Sequence, residues 1–415
     1  MVINDKNTFF FARQPILNRE GRISAYELLY RGSILNAATN LPKNATQQVV
    51  TNALNLTGLG NLIEKGTKAY INIDEQMLFS DILPTIPKAD FIFELLETVE
   101  FTDAVIEQVK TLYEDGYTFA LDDVVCSKAI ISTLMPVLPY VEIIKLESGQ
   151  EVHGLKPFIA LFKKMKLTVL AEKVETKDEY MAFHELGCDL FQGYFFARPT
   201  LISGNKVNTK AALVFHAITL VGQDKIEETL DLFAQDAALT LQLLRYINSA
   251  AFSFRSDIKS TRQAITLLGA NQLKQWLTLM SYAMGSEEGI HSPLLKLAQE
   301  RANMMTLISE TCIGEQAKEQ AGFIGMISLI DALFQRPLNE LLDELHIDTA
   351  ISDILLRTSE CEIGKIYQLV LVIESFDNNE INRILEQLGL DFVTFAGLLE
   401  ESYRRSEAFM ETMSV

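Results

Sequence analysis

The chain has 415 residues, 48% of them apolar and 22% charged, a globular composition with enough length for two domains of roughly 200 residues each. Its net charge of −19 argues against a nucleic-acid partner, because phosphates would approach an already negative surface, although a local basic pocket for one small phosphate ligand stays open. Cys126, Cys188, Cys312 and Cys361 lie far apart with no CxxC pair, so they read as reduced, mostly buried packing residues rather than a zinc or redox site. The opening MVINDKNTFF lacks the basic and apolar regions of a signal peptide, and no run approaches the ~18 apolar residues of a membrane span, so the expected setting is the cytoplasm, away from membranes.

In chain order, residues 1 to about 200 alternate short β-like runs with helical segments. The predicted strands are Thr8–Phe11, Ile23–Tyr30, Lys68–Ile73, Phe91–Leu95, Thr118–Leu121, Ile143–Leu146, Leu167–Ala171 and Leu190–Gly193. Helical patterns lie between them at Gln47–Leu56, Asp103–Asp115, Leu155–Met165 and Lys177–Leu186. A strand returning every 20 to 30 residues with a helix in the gap implies repeated βα units, and this many units suit a closed barrel. After a short polar stretch at Thr200–Asn208 the pattern turns helical to the end, which predicts an α/β barrel over 1–203 and an all-α domain over 204–415.

Polar residues cluster at the predicted strand ends: Glu27 in YELLYR, Asn72 in YINID, Glu94 in FELLE, Asp122 and Asp123 in ALDDV, Lys145 in IIKLE, Glu172 in LAEKVE and Gln192 in FQGYFFARP. In a βα barrel such ends converge on one face. Any one acidic residue there reads as a cap for the following helix. Gathering five carboxylates is different, because their repulsion and desolvation call for a cation. Oxygen donors without His or Cys favour Mg²⁺ or Mn²⁺, which polarise phosphoryl oxygens. The residues by themselves therefore predict a metal-dependent phosphoryl site.

These segments, from RQPI (Gln14, Pro15, Ile16) to FQGYFFARP, resemble the EAL family over residues 8–199. The resemblance implies a modified βα (TIM-like) barrel with one antiparallel strand, and hydrolysis of cyclic di-GMP to linear pGpG. It matches Glu27, Asn72, Glu94 and Asp122 with metal ligands and Asp123 with an additional one. Lys145 and Glu172 match groups that hold the nucleophilic water and the second metal site, so that Glu27, Lys145 and Glu172 form the implied catalytic set. Gln14, Arg31 and Gln192 match ligand-binding positions, Arg31 gripping a phosphate through its donor fork, and Glu175 matches the tether of the loop after the aspartate pair.

Four departures bear on activity. The signature triplet reads Glu27-Leu28-Leu29, with Leu where the family has a smaller residue. Val124-Val125-Cys126-Ser127 replaces Phe-Gly-Thr-Gly after the aspartates, and losing two glycines should reroute a loop that in the family orders the second metal site and the dimer contact. Glu147 is one methylene longer than the family aspartate, and Lys173 replaces a glycine. The ligands survive while their support has drifted, which predicts slow or conditional catalysis, or binding alone. The retained carboxylates favour catalysis. The resemblance also implies a homodimer formed through the barrel, an expectation against which the altered loop counts.

In the helical half, DAALTLQLLRYINSAAF (Asp236 to Phe252) and IKSTRQAITLLG (Ile258 to Gly269) resemble the HDOD family, helical relatives of HD phosphohydrolases without their His-Asp metal pair. None of the five histidines is followed by Asp, which agrees with a non-catalytic module for regulation or for an unidentified protein partner. Leu273, Trp276, Leu277 and Met280 share a helix face, read as core or as a partner groove. The whole order resembles the two-domain EAL/HDOD signalling proteins of the YuxH type.

Overall fold

The structure, a computed structural model, describes residues 9–32, 67–147, 152–197, 209–248, 258–285, 289–345, 347–375 and 377–413. The helix expected at Gln47–Leu56 lies outside these residues.

Eight strands close into a barrel in sequence order: β1 (Phe9–Asn18), β2 (Ile23–Gly32), β3 (Lys68–Ile73), β4 (Phe91–Leu95), β5 (Phe119–Leu121), β6 (Ile143–Glu147), β7 (Thr168–Glu172) and β8 (Leu190–Gln192). Strand β1 runs antiparallel to both neighbours and all other pairs are parallel. Every predicted strand is present, but β1 continues seven residues beyond Phe11, through Pro15. Pro15 pairs with Tyr26 on β2 and stands just before the β1–β8 ladder opens at Ile16, a position that tolerates a missing N–H.

Among the described residues the intervening helices are α1 (Glu75–Leu78), α2 (Asp103–Glu114), α3 (Lys128–Leu134), α4 (Val152–Lys164) and α5 (Lys177–Leu186). Local chemistry starts and stops them. The Thr102 side chain accepts from the Val105 N–H at the head of α2, and Thr176 with Glu179 makes a capping box on α5. Gly187 ends α5 at φ 98°, a left-handed angle that costs a side-chain-bearing residue energy.

The remaining helices are α6 (Thr209–Gly222), α7 (Ile226–Gln235), α8 (Ala237–Ile247), α9 (Thr261–Gly285), α10 (Pro293–Cys312), α11 (Lys318–Ile327), α12 (Ile330–Phe334), α13 (Leu338–Glu344), α14 (Thr349–Leu355), α15 (Glu362–Ser375), α16 (Asn378–Leu388) and α17 (Phe392–Met413). Helix α9 is kinked at Gly269 (φ 71°, ψ 171°). Leu273, Trp276, Leu277 and Met280 of α9 are all at most 1% exposed, so this face is core and not an open groove.

Contacts divide the chain into residues 1–198 with 369–415, and residues 199–368. The first break lies near the expected boundary at 203. The last 47 residues, assigned from the sequence to the helical domain, group with the barrel instead. The physical reason is α17, which packs on β1 and carries a buried partner for Arg13. Of the cysteines only Cys188 is buried, Cys361 is exposed, and none forms a disulfide.

Candidate active site at the barrel mouth

One layer of the barrel interior is apolar, made by Ile16, Ala25, Tyr70, Ile92, Ala120, Ile143 and Leu170 with Leu190 packed against them, one residue from each strand. Side chains on a strand return to the same face every second residue. Two residues further towards the mouth, each strand therefore presents one inward residue: Gln14, Glu27, Asn72, Glu94, Asp122, Lys145, Glu172 and Gln192. On β1 the step runs backwards along the chain because the strand is reversed. All eight are polar.

Lys145, 1% exposed, is the hub. Its Nζ lies 2.5 Å from Glu94 Oε1, 2.8 Å from Glu172 Oε1, 2.9 Å from Asp122 Oδ1 and 3.4 Å from Glu27 Oε2. Two amides complete the Glu27 side of the ring. Asn72 Nδ2 donates to Glu27 Oε1 (3.1 Å), and Gln192 Nε2 donates to Glu27 Oε2 (2.6 Å) and to Gln14 Oε1 (2.8 Å).

Four carboxylates surround one ammonium, and their proton affinities separate accordingly. Burial pushes Glu94 well above the usual carboxylate range, helped by the charge of Glu27, and Lys145 only partly offsets this. Burial likewise raises Asp122 and brings Glu172 to about 7. For Glu27 burial acts upward too, but Lys145 and the amides of Gln192 and Asn72 outweigh it and leave the carboxyl below its usual value. Burial acts to lower Lys145, yet Glu94, Glu27, Glu172 and Asp122 hold it well above an ordinary lysine.

The donor set suits a hard divalent cation. It is all oxygen, and Asn72 Oδ1, Glu94 Oε2 and Glu172 Oε2 are buried without a hydrogen-bond donor among the described residues. A second acidic group lies at the rim, where one oxygen each from Glu97, Asp122 and Asp123 falls within 4.8 Å of the others. Sequence reasoning missed Glu97, which is exposed and carries only the weak signal of standing three residues after Glu94 in FELLE.

The family model described as EAL domain matches residues 3–199, and that described as HDOD domain matches 214–363. The uncharacterized protein YuxH of Bacillus subtilis (strain 168) is 31% identical over 387 residues, which cover 91% of this chain and 94% of that one. The chain belongs to the EAL/HDOD two-domain family. A second family member, the cyclic di-GMP phosphodiesterase CdgJ of Vibrio cholerae, is 30% identical over 96% of this chain and 93% of its own. Among solved structures, the Bacillus subtilis EAL-domain protein YkuI, in complex with cyclic di-GMP and calcium, is 17% identical with a TM-score of 0.40, covering 65% of this chain and 74% of that one. Among the described residues no helix is long and apolar enough to cross a membrane.

The EAL barrel brings together seven of the sequence-identified residues around Lys145, namely Gln14, Glu27, Asn72, Glu94, Asp122, Glu172 and Gln192. Asp123 stands beside this ring at φ 44°, an angle that aspartate tolerates better than most residues. Glu175 is exposed beyond β7, and its backbone N–H donates to Glu179 Oε2 (2.8 Å). Arg31 lies on β2 opposite Phe10, and its side chain is outside the described part.

The departures from the EAL pattern have defined positions. Val124 is buried and its N–H donates to the Lys145 carbonyl (2.9 Å), whereas Val125 is exposed and Ser127 caps α3 by accepting from the Ile130 N–H. Lys173 occupies its glycine position at φ 53°, with Nζ 2.8 Å from Glu147 Oε1 and 3.6 Å from Asp123 Oδ1. A cation that the sequence offered only as a lost glycine thus stands at the acidic rim.

Proposed function

We propose that the barrel hydrolyses cyclic di-GMP to linear pGpG with Mg²⁺ or Mn²⁺, and that the HDOD unit does no chemistry and works by contact with a protein partner in the cytoplasm. The single observation that carries this reading is the complete polar layer, in which every strand of the barrel gives one oxygen-bearing or cationic side chain to the same ring. The phosphodiesterase CdgJ, aligned over nearly the whole chain, supports the substrate class.

Glu27, Asn72, Glu94, Asp122 and Glu172 would hold the metal, with Asp123 and Glu97 at the outer edge. When bound, the cation supplies polarisation of a phosphoryl oxygen and acidification of a water. The chain's own groups do the rest. Lys145 holds four carboxylates at one opening, and Gln192 and Asn72 fix the Glu27 carboxylate by an amide on each oxygen. Lys145 and Glu172, whose Nζ and Oε1 stand 2.8 Å apart, would hold the attacking water. Gln14, at the rim beside Gln192, and Arg31 would orient the ligand.

Purified full-length protein with Mn²⁺ or Mg²⁺ should release pGpG on product chromatography, and Glu27→Ala should abolish it. Turnover indifferent to Glu27 would put the chemistry elsewhere. A second reading, a receptor that binds cyclic di-GMP without cleaving it, is favoured by the Lys173 ammonium standing at Asp123. Calorimetric binding in Ca²⁺ with no product in Mn²⁺ would select that reading.

A further inference from the structure

Helix α17 lies beyond both matched family segments, yet it belongs to the barrel unit. Its buried stripe is Phe395, Leu399, Ser402, Tyr403, Ser406 and Glu407, a spacing of three and four residues that sets one face of the helix against its neighbours. The two serines, each fully buried, let this face approach closely, and it meets β1. There the Arg13 Nη1 donates to Glu407 Oε1 at 2.6 Å. The guanidinium carbon stands 4.7 Å from the Tyr26 ring centre and 4.4 Å from that of Tyr403, so the cation is held between two aromatic faces. All four residues are buried.

Strand periodicity ties this outer contact to the inner site. On β1, Arg13 faces out and the next residue, Gln14, faces in; on β2, Tyr26 faces out and the next residue, Glu27, faces in. Gln14 and Glu27 are cross-strand partners, and both are bonded by Gln192. The two strand residues gripped by α17 are thus the chain neighbours of two site residues.

We propose that Arg13 is a positioning residue: through Glu407 and Tyr403 the last helix sets the β1–β2 edge on which Gln14 and Glu27 meet Gln192. Removing the Glu407 carboxylate from a buried guanidinium carries a cost, and the strands that meet it are β1, which carries Arg13, and β2, which carries Tyr26. The metal part of the test rests on the proposed use of Glu27, but the backbone part does not.

Full-length Glu407→Ala and the milder, shape-preserving Glu407→Gln are compared with the parent by amide hydrogen exchange and by Mn²⁺ calorimetry. We expect residues 12–16 and 24–29 to exchange about tenfold faster in Glu407→Ala, with β4 and β6 unchanged, and Mn²⁺ affinity to fall by about tenfold, the size typical when the support of a metal ligand is removed. Glu407→Gln should recover part of both effects. Unchanged exchange in those segments, or a uniform rise over the whole barrel, would overturn the proposal. So would faster exchange in the hairpin with undiminished Mn²⁺ affinity. If the parent itself takes no Mn²⁺, the metal reading fails, and the exchange pattern alone decides the role of Arg13.

Discussion

Gln14 and Glu27 stand opposite each other on antiparallel strands, and a single amide, that of Gln192, donates to both. That amide is held in turn by its own backbone, because the Gln192 carbonyl accepts from the Val174 N–H at 2.9 Å. The next residue, Gly193, sits at φ 141°, and a Cβ there would fall 2.0 Å from the Val174 carbonyl oxygen. No rotamer relieves a clash with backbone. Gly193→Ala should therefore push β8 away from the Val174 segment, destabilising the protein by about 3 kcal/mol or more. Urea unfolding checks this, and a midpoint within error of the parent would show that the turn has room.

Lys145 is the cation that lets four carboxylates share the mouth. Lys145→Met keeps most of the side-chain volume and removes the charge, leaving Glu27, Glu94, Asp122 and Glu172 to repel one another. In EDTA at pH 8 we expect a loss of roughly 3–5 kcal/mol, the cost of breaking a buried ion pair. Lowering the pH to 5 should recover part of it, since burial already raises Glu94, Asp122 and Glu172 toward protonation. An unfolding curve at pH 8 that superimposes on the parent's would remove Lys145 from its central place.

Much of this site was legible before any coordinates. Inward residues two apart on a strand share a face, so Ala25 with Glu27, Tyr70 with Asn72 and Ile92 with Glu94 already carry the two layers in their spacing. Strand β1 runs past the predicted end at Phe11 and through Pro15, for which the ladder leaves room. The Arg13–Glu407 pair, 394 residues apart, leaves no local pattern at all. The same distance hid the return of the last helix to the barrel, since an amphipathic stripe records that a face is buried but not against what. Lys173 was visible as a missing glycine, but its reach to Asp123 depends on the left-handed turn that follows β7.

That turn makes Lys173→Gly informative. The left-handed angle costs a lysine about 1 kcal/mol, which glycine would recover. The Glu147 pair that would be lost is half-exposed and contributes at most about 1 kcal/mol. Stability should therefore barely change, while the acidic rim of Glu97, Asp122 and Asp123 loses its resident cation. We expect tighter Mn²⁺ binding by calorimetry, by about tenfold, and faster release of pGpG. Identical isotherms for variant and parent would mean that the ammonium does not compete with the metal at Asp123.

The stability of the metal-free protein should fall as the pH rises through neutrality. Glu172 titrates at about 7 in the fold against a usual 4.5. The folded state therefore holds a proton that the unfolded chain releases over this range. Its favourable contribution is full below about 4.5 and is lost as the pH passes 7, a difference of roughly 3 kcal/mol. Glu94 and Asp122 shift the same way and Glu27 the opposite way, so Glu172 is isolated by comparison with Glu172→Gln, which cannot ionise. Between pH 5 and pH 8 in EDTA, the parent should lose stability relative to the variant. Mn²⁺ should erase the difference in slope, because a bound cation keeps the carboxylate ionised at both pH values. Parallel pH profiles for the two proteins in EDTA would mean that Glu172 is an ordinary carboxylate.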